Sequence, residues 1–134
     1  GDDYSDIFGV DFYFGSGDTP EILRYQRRLI DVCQYAQERN KLAALTEAGD
    51  RYGWDDTDML EIDRWFTRCL LAPVKTSQTA GNIAYAAVWR NAHERHHFAP
   101  YPGHSSVSDF MAFYNDPTTL FADELPEMYI FSGE

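Results

Sequence analysis

The sequence predicts an α/β fold in which parallel strands alternate with helices. Short runs of apolar, β-branched and aromatic residues alternate with longer stretches of helical periodicity, as in strand–helix–strand units. One apolar run is unbroken, which is typical of a strand buried on both faces. Polar or aromatic side chains cluster where each predicted strand ends, and ligands bind at that end in folds of this class. The predicted order is strand, helix, strand, helix, strand, loop and helix.

The first strand is predicted from Asp6 to Phe14, where β-forming residues cluster. Turn residues follow. Thr19 is a good helix N-cap, with Pro20 at the first helical position and Glu21 in the first turn. Apolar residues then recur with a helical period as far as about Arg39, which predicts an amphipathic helix.

The second strand is predicted from Lys41 to Thr46, and its residues Leu42 to Leu45 form the unbroken apolar run. A second helix is predicted over about Thr57 to Ala72, ending before Pro73 because proline disrupts a helix interior. The third strand is predicted over about Asn82 to Trp89. Within the second helix, adjacent aromatic residues are expected to pack against the sheet; these are Trp65 and Phe66.

A polar, proline-containing loop from His93 to His104 follows the third strand. Ser106 to Asp109 resembles a variant capping box for a helix that ends at about Tyr114. Cys33 and Cys69 lie on predicted helix faces, as two buried thiols or as a bridge between neighbouring helices.

Composition excludes several classes of protein. The length of 134 residues suits one domain, and the 16% aromatic content excludes an acidic disordered tail. The net charge of −11 argues against nucleic-acid binding, which needs clustered Lys and Arg. No apolar run is long enough for a membrane span.

Carboxylate and aromatic residues supply the site candidates. Glu47 follows the second strand and suits a nucleophile or general base, or equally a helix-capping or salt-bridging glutamate at a strand exit. Asp11 and Tyr13 share one face of the first strand, so the tyrosine hydroxyl could hold a neighbouring carboxylate; alternatively Tyr13 only fills the interior. Trp89 and Arg90 end the third strand, as a stacking platform and a donor to substrate, or as a core tryptophan and a surface arginine.

Loops add further candidates. Tyr52 and Trp54 lie in the loop directly after Glu47 and are placed to line a cleft. His93 and His97 are spaced like zinc ligands on a helix, but they lie in a predicted loop, where packing or substrate contact is favoured. The acidic runs near the N-terminus and in the Asp55–Asp58 segment lack the spacing of a calcium loop. No metal or cofactor is therefore predicted.

Five segments, in this order and spacing, resemble glycoside hydrolase family 26, which consists largely of endo-β-1,4-mannanases. They are GVDFYF, KLAALTEAG, IAYAAVWRNA, HFAPYPGH and SDFMAFYNDPTTLF. The resemblance covers roughly Asp2 to Tyr129, and ALTEAG together with VWRNA carries most of its specificity.

The resemblance implies a (β/α)8 barrel of about 250 residues, of which residues 1–134 would be a partial catalytic domain with strands six to eight. It also implies a retaining mechanism with Glu47 as nucleophile and Tyr13 hydrogen-bonded to it. Asp11, Trp89, Arg90 and the loop candidates Tyr52, Trp54 and His97 would bind substrate. The acid/base glutamate of strand four has no counterpart in the sequence, so the chain alone is expected to be inactive on mannan.

The partners implied are a mannan-type polysaccharide or manno-oligosaccharides, together with the missing N-terminal part of the barrel or a second copy of the chain. A secreted, periplasmic or cell-surface location follows from the same resemblance. The alternatives are a hydrolase of the same family acting on β-glucan or β-1,3-xylan, a non-catalytic carbohydrate-binding protein, and an acidic interaction domain. Carbohydrate-binding modules are usually antiparallel β-sandwiches, so a mainly helical circular dichroism spectrum would disfavour that alternative.

Overall fold

The computed structural model describes residues 2–50, 61–92 and 97–126. Three strands, β1 (Ile7–Phe14), β2 (Leu42–Asp50) and β3 (Ile83–Val88), form a parallel sheet in the order β1-β2-β3. The predicted alternation of strands and helices is confirmed. The helices are α1 (Thr19–Gln37), α2 (Ala72–Lys75) and α3 (Val107–Tyr114), with a π-helix at Trp65–Leu71 and short 3-10 helices at Asp2–Tyr4, Ala80–Asn82 and Ala122–Glu124.

Asp18 caps α1, where the sequence predicted Thr19. The Asp18 backbone is extended and its Oδ1 accepts the N–H of Glu21 at 2.9 Å, which satisfies one of the free donors of the first turn. Thr19 is instead the first helical residue, followed by Pro20. Pro20 is therefore the second helical residue and still lies in the first turn, where proline is tolerated.

The carboxylate of Glu21 holds the turn between β1 and α1. It accepts backbone N–H groups from Gly15 at 2.9 Å, Ser16 at 2.8 Å and Gly17 at 2.8 Å. Burial alone would raise the pKa of Glu21, but these donors outweigh burial and lower it. The turn directly after the C-terminal end of β1 is therefore fixed by a buried, ionised carboxylate.

The helical segment after β2 does not end before Pro73, contrary to the sequence prediction. The π-helix Trp65–Leu71 runs directly into α2, and the Ala72 N–H donates to the Thr67 carbonyl, five residues back. Pro73 is the second residue of α2 and lies within this continuous helical segment. The predicted start of this helix, at Thr57, lies outside the described residues.

Asp109 caps a different helix from the one the sequence predicted. Ser106 makes no side-chain cap for α3. The Asp109 carboxylate instead accepts the N–H of Phe66 at 2.8 Å and that of Thr67 at 3.4 Å, together with the Thr67 hydroxyl. An acidic residue on α3 thus satisfies the N-terminal donors of the π-helix, and the two helices are joined by this contact.

The core lies between the sheet and the helices. Phe12 and Phe14 point to this side and pack against Tyr25 of α1, with ring centroids 5.2 Å and 5.0 Å away. Trp65 and Phe66 are each 1% exposed, which confirms that they pack in the core. Other buried members of this cluster are Leu29, Leu45, Ala48, Ile62, Cys69, Leu70 and Ala80.

Cys33 and Cys69 are both buried free thiols, so the first of the two predicted alternatives holds and the bridge does not form. They belong to separate apolar clusters. Burial raises the pKa of the Cys69 thiol to about 11. Among the described residues, no helix is both long and apolar enough to cross a membrane.

Candidate active site

Glu47 and Tyr13 meet on the face of the sheet opposite the core. Along β1, Phe12 and Phe14 face the helices, so alternation turns Asp11 and Tyr13 to the other face. The Tyr13 hydroxyl donates to Glu47 Oε2 at 2.9 Å. The predicted contact between these two side chains is therefore present.

Tyr13 is held in its neutral, hydrogen-donating form. Its pKa is raised first by burial, then by the hydrogen bond to Glu47 and by the negative charges of Glu47 and Asp11. A phenol of this kind donates a stable hydrogen bond to a carboxylate at neutral pH. The pair can fix the orientation of the Glu47 carboxylate.

A β-bulge in β2 brings Thr46 and Glu47 to the same face. Val10 lies opposite Leu45 and Asp11 lies opposite Glu47, so Thr46 is an extra residue in β2. The Thr46 hydroxyl donates to Asp11 Oδ1 at 2.6 Å, while Glu47 accepts from the next outward residue of β1. Consecutive residues of a regular strand would point to opposite faces, so the bulge assembles this cluster.

Gly9 makes room for that arrangement. A Cβ at Gly9 would lie 2.4 Å from Thr46 Cγ2 and 2.7 Å from Thr46 Oγ1. Any larger residue would displace the threonine and its hydrogen bond to Asp11. The glycine of the GVDFYF segment is thus required by close packing on the site face.

Trp89 and Arg90 lie directly after β3. The Trp89 N–H donates to the Ala48 carbonyl at 2.8 Å, so its backbone is tied to β2 one residue from Glu47. The Trp89 side chain is half-buried and Arg90 is exposed. The Arg90 guanidinium lies 6.0 Å from the centroid of the Trp89 ring, at the outer limit of a cation–π contact.

His97 lies in the loop that follows β3 and is half-buried. Its ring centroid is 4.9 Å from that of Tyr101. The next residue, Phe98, is fully buried and reaches the site: its ring is edge-on to Tyr13, with centroids 5.9 Å apart. Phe98 belongs to the segment HFAPYPGH, but nothing in the pattern of a loop indicates a buried ring, so the sequence predicts no role for it.

The fold brings together the Asp11–Thr46 pair, the Tyr13–Glu47 pair and the Trp89 backbone. The strand β2 continues to Asp50, so Glu47 lies within it rather than after it, contrary to the sequence prediction. Tyr52, Trp54 and His93 lie outside the described residues. Of the pair with zinc-like spacing, only His97 is described. Across those ranges no group of three or more His, Cys, Asp or Glu side chains is placed to hold a metal ion.

Solved structures resemble this chain over nearly all of its length. An endo-β-1,4-mannanase double mutant from Cellulomonas fimi aligns with 93% of the chain at 36% sequence identity and a TM-score of 0.85. The chain belongs to glycoside hydrolase family 26. A family 26 structure from a Muricauda species aligns with 97% of the chain at 34% identity and a TM-score of 0.83, and a family 26 β-mannanase from Bacteroides ovatus aligns with 100% at 31% identity and 0.77.

Membership of family 26 agrees with the resemblance identified in the sequence. The chain spans only part of these relatives: 27% of the Cellulomonas chain, 34% of the Muricauda chain and 36% of the Bacteroides chain. No family model matches the chain.

Proposed function

We propose that the chain is the C-terminal part of a (β/α)8 catalytic domain, with about strands six to eight, that hydrolyses β-1,4-mannosidic linkages with retention of configuration. The observation that carries the proposal is the hydrogen bond from Tyr13 to Glu47 on the outward face of a parallel sheet. Similarity to family 26 mannanases supports the choice of mannan.

In the proposed mechanism Glu47 is the nucleophile. Tyr13 occupies Oε2, so we assign the attack on the anomeric carbon to Oε1. A glycosyl ester forms as the glycosidic bond breaks, and the departing oxygen takes a proton from an acid/base glutamate on the missing part of the barrel. Retaining enzymes place the two carboxyl groups about 5–5.5 Å apart. Water then cleaves the ester with the second glutamate acting as base.

The remaining candidates are assigned to substrate binding. The Asp11 carboxylate and Arg90 guanidinium would contact sugar hydroxyls, and the Trp89 ring would stack on the apolar face of a pyranose. His97, Tyr52 and Trp54 stay predictions as cleft residues. The site needs no metal or cofactor for this chemistry.

The parallel sheet disfavours the carbohydrate-binding-module alternative, because such modules are usually antiparallel sandwiches. The same-family alternatives are hydrolases of β-glucan or of β-1,3-xylan. Rates of hydrolysis of mannan, β-glucan and β-1,3-xylan by the same protein distinguish them from a mannanase. The similarity to family 26 enzymes supports a secreted, periplasmic or cell-surface location as part of the proposal.

The nucleophile is tested in a full-length protein that contains this chain, with an aryl β-mannobioside whose leaving group departs without acid assistance. Glu47→Ala should abolish release of the phenol. Added azide should restore it, because azide attacks the anomeric carbon from the face vacated by the carboxylate and gives the α-mannosyl azide. Glu38→Ala, at an exposed glutamate after α1, is the matched control and should keep full activity.

Activity in Glu47→Ala without azide, or an azide product of β configuration, would contradict the assignment. The missing acid is tested separately with the purified 134-residue chain. We expect no hydrolysis of mannan by this chain, and Glu47-dependent hydrolysis would show that the acid is present after all.

A further inference from the structure

The ring of Phe98 fills a gap that only glycine leaves open. Phe98 is 0% exposed, although it lies in a loop beside half-buried neighbours. A Cβ at Gly49 would lie 2.4 Å from Cδ1 and from Cε1 of Phe98, and 2.9 Å from Cε1 of Tyr13. The backbone of β2, the loop phenylalanine and the tyrosine therefore meet at one point, two residues along the strand from Glu47.

The loop is attached at this point by Asn91. Asn91 Oδ1 accepts the N–H of Phe98 at 2.8 Å and that of Ala99 at 3.0 Å, and Asn91 Nδ2 donates to the Ala99 carbonyl at 3.2 Å. Asn91 itself lies two residues after Trp89, whose N–H is bonded to the Ala48 carbonyl of β2. One side chain thus fixes the backbone on which the Phe98 ring is mounted.

These contacts restrain the Tyr13 ring, whose hydroxyl donates a hydrogen bond to Glu47. Phe98 meets the Tyr13 ring edge-on, with an interplanar angle of 71°, an arrangement that aromatic pairs favour. Burial is the first cause of the raised pKa of Tyr13, and a fully buried ring in contact with the tyrosine contributes to excluding water from it.

We infer that Phe98 is a positioning residue that keeps the Tyr13 hydroxyl hydrogen-bonded to Glu47. Asn91 holds the Phe98 backbone, and the Phe98 ring packs against Gly49. Phe98 acts through Tyr13 and does not itself touch the reacting atoms. The kinetic consequence rests on the function proposed above, whereas the effect on the tyrosine does not. The loop after β3 thereby takes part in the site through a buried ring.

The test compares Phe98→Leu with Phe14→Leu in a full-length protein that contains this chain. Both phenylalanines are 0% exposed, but Phe14 packs against Tyr25 and Trp65 on the core side of the sheet. The probe is the NMR signal of tyrosine labelled with carbon-13 at Cζ, followed from about pH 9 to about pH 12, around the usual tyrosine pKa. The Tyr13 signal is assigned from its loss in Tyr13→Phe.

We expect the Tyr13 signal to titrate above the ordinary tyrosine range in the wild type and in Phe14→Leu, because the pKa of Tyr13 is raised. In Phe98→Leu it should titrate with a midpoint closer to about 10, the ordinary tyrosine value. On mannan, Phe98→Leu should lower kcat by up to about tenfold, the effect expected from losing the Tyr13 hydrogen bond through which Phe98 acts, and leave KM within about twofold. Phe14→Leu should lower thermal stability without these changes.

An unchanged Tyr13 titration in Phe98→Leu would overturn the inference, whatever happens to activity. If Phe98→Leu does not fold, Asn91→Ala is measured in the same way, since Asn91 is exposed, and the same two outcomes apply. A protein that shows the Tyr13 shift but hydrolyses no mannan would refute the proposed function while leaving the positioning role intact.

Discussion

Replacing Tyr13 by phenylalanine isolates the contribution of one hydroxyl group to the site. The change removes the donor that lies 2.9 Å from Glu47 Oε2 and keeps the ring that packs against Phe98. A hydrogen bond to a charged group contributes about 1.5–3 kcal/mol. The Tyr13–Glu47 contact is only partly buried, which favours the lower half of that range.

The bond is already present without substrate, so its loss acts on catalysis through the orientation of the Glu47 carboxylate. We expect the penalty to reach at most about 1.5–2 kcal/mol, which corresponds to a decrease of up to roughly 10- to 30-fold in kcat/KM. The assay is steady-state hydrolysis of mannan by a full-length protein containing this chain, with the thermal midpoint measured in parallel. The midpoint should change little because the packed ring remains. A kcat/KM within twofold of the wild type, in a folded variant, would refute the proposed role of the hydroxyl.

Three further predictions concern stability and association. Glu21→Gln should lower the unfolding free energy by about 1–3 kcal/mol at neutral pH, since the turn donors at residues 15–17 lose an ionised acceptor. The pKa of Glu21 is lowered in the folded state. The stabilisation by its carboxylate is therefore complete above the unfolded pKa of about 4.3 and is lost as the pH falls from there through the folded pKa. The unfolding free energy, measured by denaturation from pH 6 to about pH 3, should depend less on pH in the variant. Gly9→Ala should lower the unfolding free energy by about 1–3 kcal/mol through overpacking. The loss should be much smaller in a Thr46→Ala background, where the nearest remaining atom of residue 46 is its Cβ, 3.1 Å from the added Cβ. Equal losses in both backgrounds would contradict the steric argument. The 134-residue chain alone should self-associate through the open edges of its parallel sheet, and a monodisperse monomer in sedimentation at high concentration would argue otherwise.

Helix ends show what a local sequence pattern can and cannot predict. The start of α1 was predicted to within one residue, because caps and first-turn residues interact with their own helix. Asp109 was assigned to α3 by the same rules, yet it caps the π-helix some forty residues earlier in the chain. A capping pattern specifies an acceptor and free donors, but it does not specify which helix supplies the donors when two helix ends are close.

The sequence alone predicted the alternating α/β order, the core role of Trp65 and Phe66, and the family, since each rests on local periodicity or on short motifs. It also placed Glu47 and Tyr13 in one site. Only the tertiary structure showed the extra residue in β2 at Thr46 and the seat that Gly49 provides for Phe98. The physical reason is that register and close packing depend on atoms from separate strands and loops, and no single segment of the sequence contains them.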